Sequence, residues 1–226
     1  TNRYFFPETN FLDLSYFELP VDFANKILHE SYGDPVYPFY IDIYKENVIF
    51  ANKEGSFFYE KIKNLLNRKI ENKYINSNLP NSELTDIIII DGFIYAALVK
   101  KNNDGCIYNS INIYKAKINF SKLYFVKVLD SKYDFITLEE CDKNFSPVGG
   151  ALAYSKRDNN LYFSGNSFLS DSEKKPDVDK ATDFLRTSKF SSIFAFNLTN
   201  NQLNVISTGH RNPLGLVVNK NNQIIS

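Results

Sequence analysis

Methionine and tryptophan are both absent from this chain of 226 residues, cysteine and histidine occur only twice each, and neither sign of charge is in excess. Each shortage excludes something. Cys106 and Cys141 stand alone, without a CxxC pair or a Cys/His cluster, so the sequence offers no zinc site. They read either as a disulfide in an oxidising setting or as two buried thiols in a reducing one. With 26 Lys and Arg against 26 Asp and Glu, no global positive field points to nucleic acid or an anionic membrane surface. No window approaches the roughly 18 apolar residues of a membrane span, and the opening Thr1-Asn2-Arg3-Tyr4-Phe5-Phe6 lacks the long apolar stretch of a signal peptide. There is no G-x-S-x-G elbow, Walker loop or dinucleotide glycine fingerprint. The missing initiator Met and the stop at Ile224-Ile225-Ser226, inside a strand pattern, read as a piece of a longer protein.

What the chain does have is aromatic and β-branched sequence, with 20 Phe and 15 Tyr, the composition that suits strands. Short apolar runs recur between turn signals. Phe39 to Tyr44, Asn47 to Ala51 and Ser56 to Tyr59 predict a three-strand meander. A second group follows at Asp86 to Ile90, Phe93 to Val99, Ser110 to Ile118 and Leu123 to Val128. A third runs through Gly149 to Tyr154, Leu161 to Ser164, Ser192 to Phe196 and Leu203 to Ile206. A fourth opens at Leu216 to Val218 and Gln223 to Ile225. The groups repeat at on the order of 45 to 65 residues, near or above the spacing of propeller blades. The reading is therefore all-β: one incomplete β-propeller domain over residues 1–226, with about four blades of four-stranded antiparallel sheet. Two insertions account for the excess length. In one, near 61–85, Phe58, Ile62, Leu65, Leu66 and Ile70 fall at helical spacing before an Asn-rich loop. The other, near 169–189, is charged and loop-like.

Between the third and fourth groups lies Gly209-His210-Arg211-Asn212-Pro213-Leu214-Gly215-Leu216. Gly and Pro shape a turn there, while Arg211 and Asn212 supply donors that can grip a carboxylate-rich ligand in a planar, bidentate way. This octapeptide resembles the Gly-His-Arg-Asn-Pro-Gln-Gly-Leu turn of the soluble pyrroloquinoline-quinone (PQQ)-dependent aldose (glucose and sorbosone) dehydrogenases. The likeness continues upstream. Pro147-Val148-Gly149-Gly150-Ala151-Leu152 stands where that family has His-x-Gly-Gly-Arg-Leu, and Leu161-Tyr162-Phe163-Ser164-Gly165-Asn166 where it has a Leu-Tyr strand ending in Gly-Asp. The resemblance implies a six-bladed propeller in a periplasmic or secreted setting, oxidising the anomeric hydroxyl of an aldose with hydride transfer to PQQ. It assigns Arg211 and Asn212 to the quinone and His210 to anchoring the turn. It also implies calcium, bound by an acidic segment one strand beyond the octapeptide and past residue 226. Asp171, Glu173, Asp177, Asp179 and Asp183 lack the Gly-punctuated spacing of a calcium loop, so no metal ligand is assigned within the chain.

The departures from the family pattern are chemical. Pro147 holds the place of the general-base His and has neither an ionisable group nor a backbone N–H. Ala151 replaces an Arg, Asn166 an Asp and Leu214 a Gln. Loss of a general base costs about a hundred- to ten-thousand-fold in rate. His29, far upstream in a helical pattern, reads as a solvated side chain rather than a substitute base. Two functions follow: a sugar dehydrogenase of this type, or a propeller that kept the scaffold without the reaction and serves as a binding or interaction module.

Overall fold

In the computed structural model the residues described are 39–67, 71, 73–80, 82–101, 107–130, 150–165, 192–210 and 215–226, all within one unit, Val36–Ser226. Most of them lie in strands, as the composition predicts. Four sheets follow one another in chain order. The first contains β1 (Phe39–Tyr44), β2 (Asn47–Asn52), β3 (Phe57–Lys61) and β4 (Lys73–Ser77). The second holds β5 (Glu83–Ile90), β6 (Phe93–Lys101), β7 (Ile107–Lys117) and β9 (Val126–Asp130). β8 (Lys122–Leu123) leaves this second group to pair with β4, in parallel, at the edge of the first sheet. The third consists of β10 (Leu152–Ser155), β11 (Asn160–Ser164), β12 (Ile193–Asn197) and β13 (Leu203–Ser207). β14 (Val217–Val218) and β15 (Ile224–Ile225) form the fourth. Every other pairing is antiparallel, and no sheet closes on itself.

The sheets stack because each strand alternates its side chains between two apolar faces. In β6, Ile94, Ala96 and Leu98 join Ile49, Ala51, Phe57 and Ile75 of the first sheet in one core. The intervening Tyr95 and Ala97 join Leu152, Leu161, Phe163, Phe194 and Phe196 of the third sheet in the next. The third sheet repeats the device: Tyr162 and Ala195 point the other way, onto Leu216, Val218 and Ile224. A sheet covered on both faces reads as a near-continuous apolar run, as Asp86-Ile87-Ile88-Ile89-Ile90 does. At its end Asp91 and Gly92, with φ of 47° and 79°, make the two-residue turn into β6 that Asp-Gly favours.

The segment near 61–85 departs from the sequence reading. Its helix, α1 (Ile62–Leu66), spans only five residues. The stretch read as an Asn-rich loop contains β4, whose Ile75 is fully buried in the first core. Helical spacing ran on from Phe58 because Phe58 and Ile62 straddle the junction of β3 with α1, where two different periods meet. Leu123 to Val128 is likewise two strands rather than one. Between them, Phe125 is tucked into the first core and its backbone is clasped by Asn78, which accepts from Phe125 N at 2.6 Å and donates to Phe125 O at 3.2 Å. The segment near 169–189 lies outside the described residues.

Candidate functional site

The first strands of successive sheets adjoin: β1 with β5, β5 with β10, and β10 with β14. Each begins its sheet and presents an edge whose backbone N–H groups need partners. Aspartates answer that need twice in the same way. Asp42 of β1 accepts from its neighbour Ile43 N at 2.7 Å through Oδ1, and from Ile89 N of β5 at 2.6 Å through Oδ2. Asp86 of β5 accepts from Ile87 N at 2.8 Å through Oδ1, and from Leu152 N of β10 at 2.7 Å through Oδ2. The carboxylates thus staple each first strand to the next.

Burial governs their charge. Desolvation pushes the Asp86 carboxyl up to about 6, against the opposing pull of the Leu152 and Ile87 N–H groups and with a smaller upward push from the Asp42 charge. Asp42 is raised for the same first reason, opposed by its bonds to Ile89 and Ile43. Tyr40, two residues before Asp42, is pushed up to about 12 by burial and then by the Asp86 charge. The sequence reading missed this cluster. Its signal was present, since an Asp inside an apolar strand run is unfavourable unless something uses its oxygens.

Gly150, the second glycine of the Gly149-Gly150 pair, lies at the entry to β10; Gly149 lies outside the described residues. Gly150 has φ of 81°, and a Cβ added there would fall 2.7 Å from Thr85 Cβ. Thr85 Oγ1 donates to the Ala97 carbonyl at 3.1 Å and lies 3.4 Å from the Gly150 carbonyl. Glycine is needed here because β5 and β10 approach too closely for any side chain. Ala151 follows, buried, with its N–H on Ser164 Oγ at 3.0 Å. No side chain longer than methyl occupies the place of the family's Arg.

The octapeptide connects β13 to β14. Gly209 has φ of 85°. His210 Nε2 lies 2.8 Å from Ser207 Oγ, so the imidazole ties the turn to the end of β13. Among the described residues no atom lies within 4 Å of a Cβ added at Gly215, whereas Leu216 packs against the Ala153, Tyr162 and Ala195 cluster. At the far ends of β10 and β14 the two hairpin turns meet through Ser155, Asp158 and Asn222. The starts of both strands therefore share the opposite end, which brings the Gly150 entry and the end of the octapeptide to one side of the stack. Pro147, Asn166, Arg211, Asn212, Leu214, Cys106, Cys141, His29 and the acidic residues 171–183 lie outside the described residues. Among the described residues no three His, Cys, Asp or Glu side chains gather as metal ligands.

No protein-family model matches the chain, and no curated protein matches its sequence. Solved structures do match it. Two glucose dehydrogenase structures superpose on 83% of this chain, each with a TM-score of 0.53 and 13% sequence identity. The match covers 56% of the length of one and 60% of the other. Over most of its described length the chain has a glucose-dehydrogenase-like fold.

Proposed function

We propose that this chain is part of a β-propeller of the sugar-dehydrogenase type, whose ligand end is built by the connections into β10 and β14. The observation that carries this reading is the repeated joining of successive sheets by their first strands. Adjacent first strands, carboxylate-stapled, with sheets packed face to face in chain order, are what blades around a common axis require. The two glucose dehydrogenases with the same fold support the sugar assignment, and so does the octapeptide at the start of β14.

On this reading Arg211 and Asn212 hold PQQ, the guanidinium forking onto a carboxylate or quinone oxygen and the amide bonding an oxygen or ring nitrogen. The tethered His210, which ties the turn to the end of β13, fits such a ligand contact. PQQ, when bound, supplies a two-electron acceptor for the hydride of an aldose, and calcium is its expected companion. The chain's own contribution is to orient and to exclude water. It provides no proton acceptor at position 147, where Pro147 is inert. That substitution favours a second reading, a binding module that retains the ligand end without turnover.

The experiment is direct. The protein is incubated with calcium and PQQ, freed of excess, and assayed for quinone absorbance and for dye reduction with aldoses. Retained quinone with turnover supports the dehydrogenase. Retained quinone with slow or no turnover, raised about a hundredfold or more by Pro147→His, assigns the deficit to the missing base. Neither quinone nor turnover, in wild type and Pro147→His alike, overturns the cofactor reading and leaves the binding module.

A further inference from the structure

Between β7 and β9 the chain leaves the second sheet and then returns to it. β7 ends at Lys117, and β9, its partner in that sheet, starts at Val126. The connection between them runs along the first sheet instead, where β8 pairs in parallel with β4, Lys122 beside Asn76 and Leu123 beside Ser77. Two residue pairs make a short ladder, and parallel pairing is the slightly weaker kind. Side chains hold the connection in place. Leu123 and Phe125 are buried in the first core, the Phe125 ring 5.3 Å from that of Phe57. Phe120 packs on the same core, 4.4 Å from the Tyr59 ring.

β4 itself is thinly anchored. It matches β3 at Ile75, Tyr74 and Lys73, opposite Phe57, Phe58 and Tyr59, and Ile75 is its one buried residue. Asn78, just past β4, joins the two segments: its side-chain amide holds both the N–H and the carbonyl of Phe125, at 2.6 and 3.2 Å. The turn that leads into the connection is set locally, with Asn119 Oδ1 accepting from Ser121 N at 3.0 Å and from Ser121 Oγ at 2.8 Å. Residues 118–125 therefore arrive at β4 with their direction fixed and with three apolar side chains to insert.

A short strand with a single apolar anchor frays unless something covers its outer edge. We propose that residues 118–125 are a latch on the first sheet: β4 and the latch dock and undock together as one local unit, with the Asn78 amide as the catch. Its opening bares the flank of the first core at Phe57 and Ile75, both fully buried when it is shut, while β2 and β6 stay in place. The latch does not depend on the sugar-dehydrogenase reading.

The test is residue-level hydrogen exchange of the whole chain, followed by NMR over a series of low denaturant concentrations. Expected in the wild type is one common opening for the amides of β4, β8 and Phe125, weakly dependent on denaturant and more frequent than the openings of β2 and β6. Asn78→Ala speeds exchange in β4, in β8 and at Phe125 alike, by about tenfold, and Phe125→Ala speeds it in β4 by about a hundredfold or more. Tyr124→Ala, at a side chain of the same segment that is 66% exposed, leaves these rates unchanged. Phe163→Ala, in the neighbouring core, speeds exchange in β6 and leaves β4 and the latch as in the wild type. The proposal is overturned if β4 opens only together with β2 and β6 in the wild type, or if Asn78→Ala and Phe125→Ala free the latch without speeding exchange in β4. Acceleration of β4 by Phe163→Ala to the same extent as β6 overturns it too, because the opening is then global.

Discussion

Among the described residues the second and fourth sheets differ in how far neighbouring sheets cover them. In the second, Ile94, Ala97, Val99 and Ile113 are fully buried, because neighbouring sheets cover both faces. In the fourth, Val217 and Ile225 are 54% and 52% exposed, while Val218 and Ile224 alone face the third sheet. Burial of both faces makes the second sheet a stability element. In this chain the fourth sheet is two strands with one face against the third sheet; the octapeptide enters it, and its hairpin turn meets that of the third sheet through Ser155, Asp158 and Asn222.

The largest expected effect breaks this contrast directly. Phe163→Ala empties a position in the core between the second and third sheets, where Phe163 stacks on Phe194 at 5.0 Å. It should cost about 3–5 kcal/mol, whereas Val217→Ala should cost under about 0.5 kcal/mol. Denaturant unfolding of the two variants measures both, and equal losses would show that burial does not separate the sheets.

A smaller effect tests the contact between β5 and β10. Gly150→Ala meets both the positive φ and the Thr85 side chain, and should destabilise by about 2–3 kcal/mol. Thr85→Ala in the same chain removes Oγ1 and Cγ2 but keeps the Cβ 2.7 Å from the added one, so it should restore only part of that loss. Absence of any rescue in the double mutant would place the cost in φ and the close pair of Cβ atoms. Thermal melts of the single and double mutants decide it.

The smallest is a pH dependence. The folded-state value of Asp86 is raised to about 6, so the folded chain holds this proton more tightly than the unfolded one. Its contribution to stability is full below the ordinary carboxylate value and is lost as pH rises through about 6. Relative to Asp86→Asn, which does not titrate, wild-type stability should fall by about 2 kcal/mol between pH 4 and 7. A flat difference across that window would mean that the Leu152 and Ile87 N–H bonds fully offset desolvation.

Much of the strand order was legible in advance. Phe39 to Tyr44, the isoleucine run ending at Ile90, and Leu161 to Ser164 each carry apolar runs bounded by turn residues. Asp91-Gly92 announces its hairpin through the positive φ that both residues tolerate. β4 was not legible, because Lys73-Tyr74-Ile75-Asn76-Ser77 has a single buried aliphatic, Ile75, whose role depends on the sheet it joins. At the proposed ligand end, the octapeptide and Gly150 stood out by residue type alone. The reason for Gly150 did not, since Thr85 is remote in sequence and meets it only when β5 and β10 adjoin.

The sequence by itself determined that this chain folds as strands, where most of them run and where several of the turns fall, because strand period and turn geometry are local properties. Tertiary structure decided which faces are covered, which aspartates staple one sheet to the next, and which hairpin turns meet. Those depend on distances between segments far apart in the chain, and no local pattern of residues encodes them.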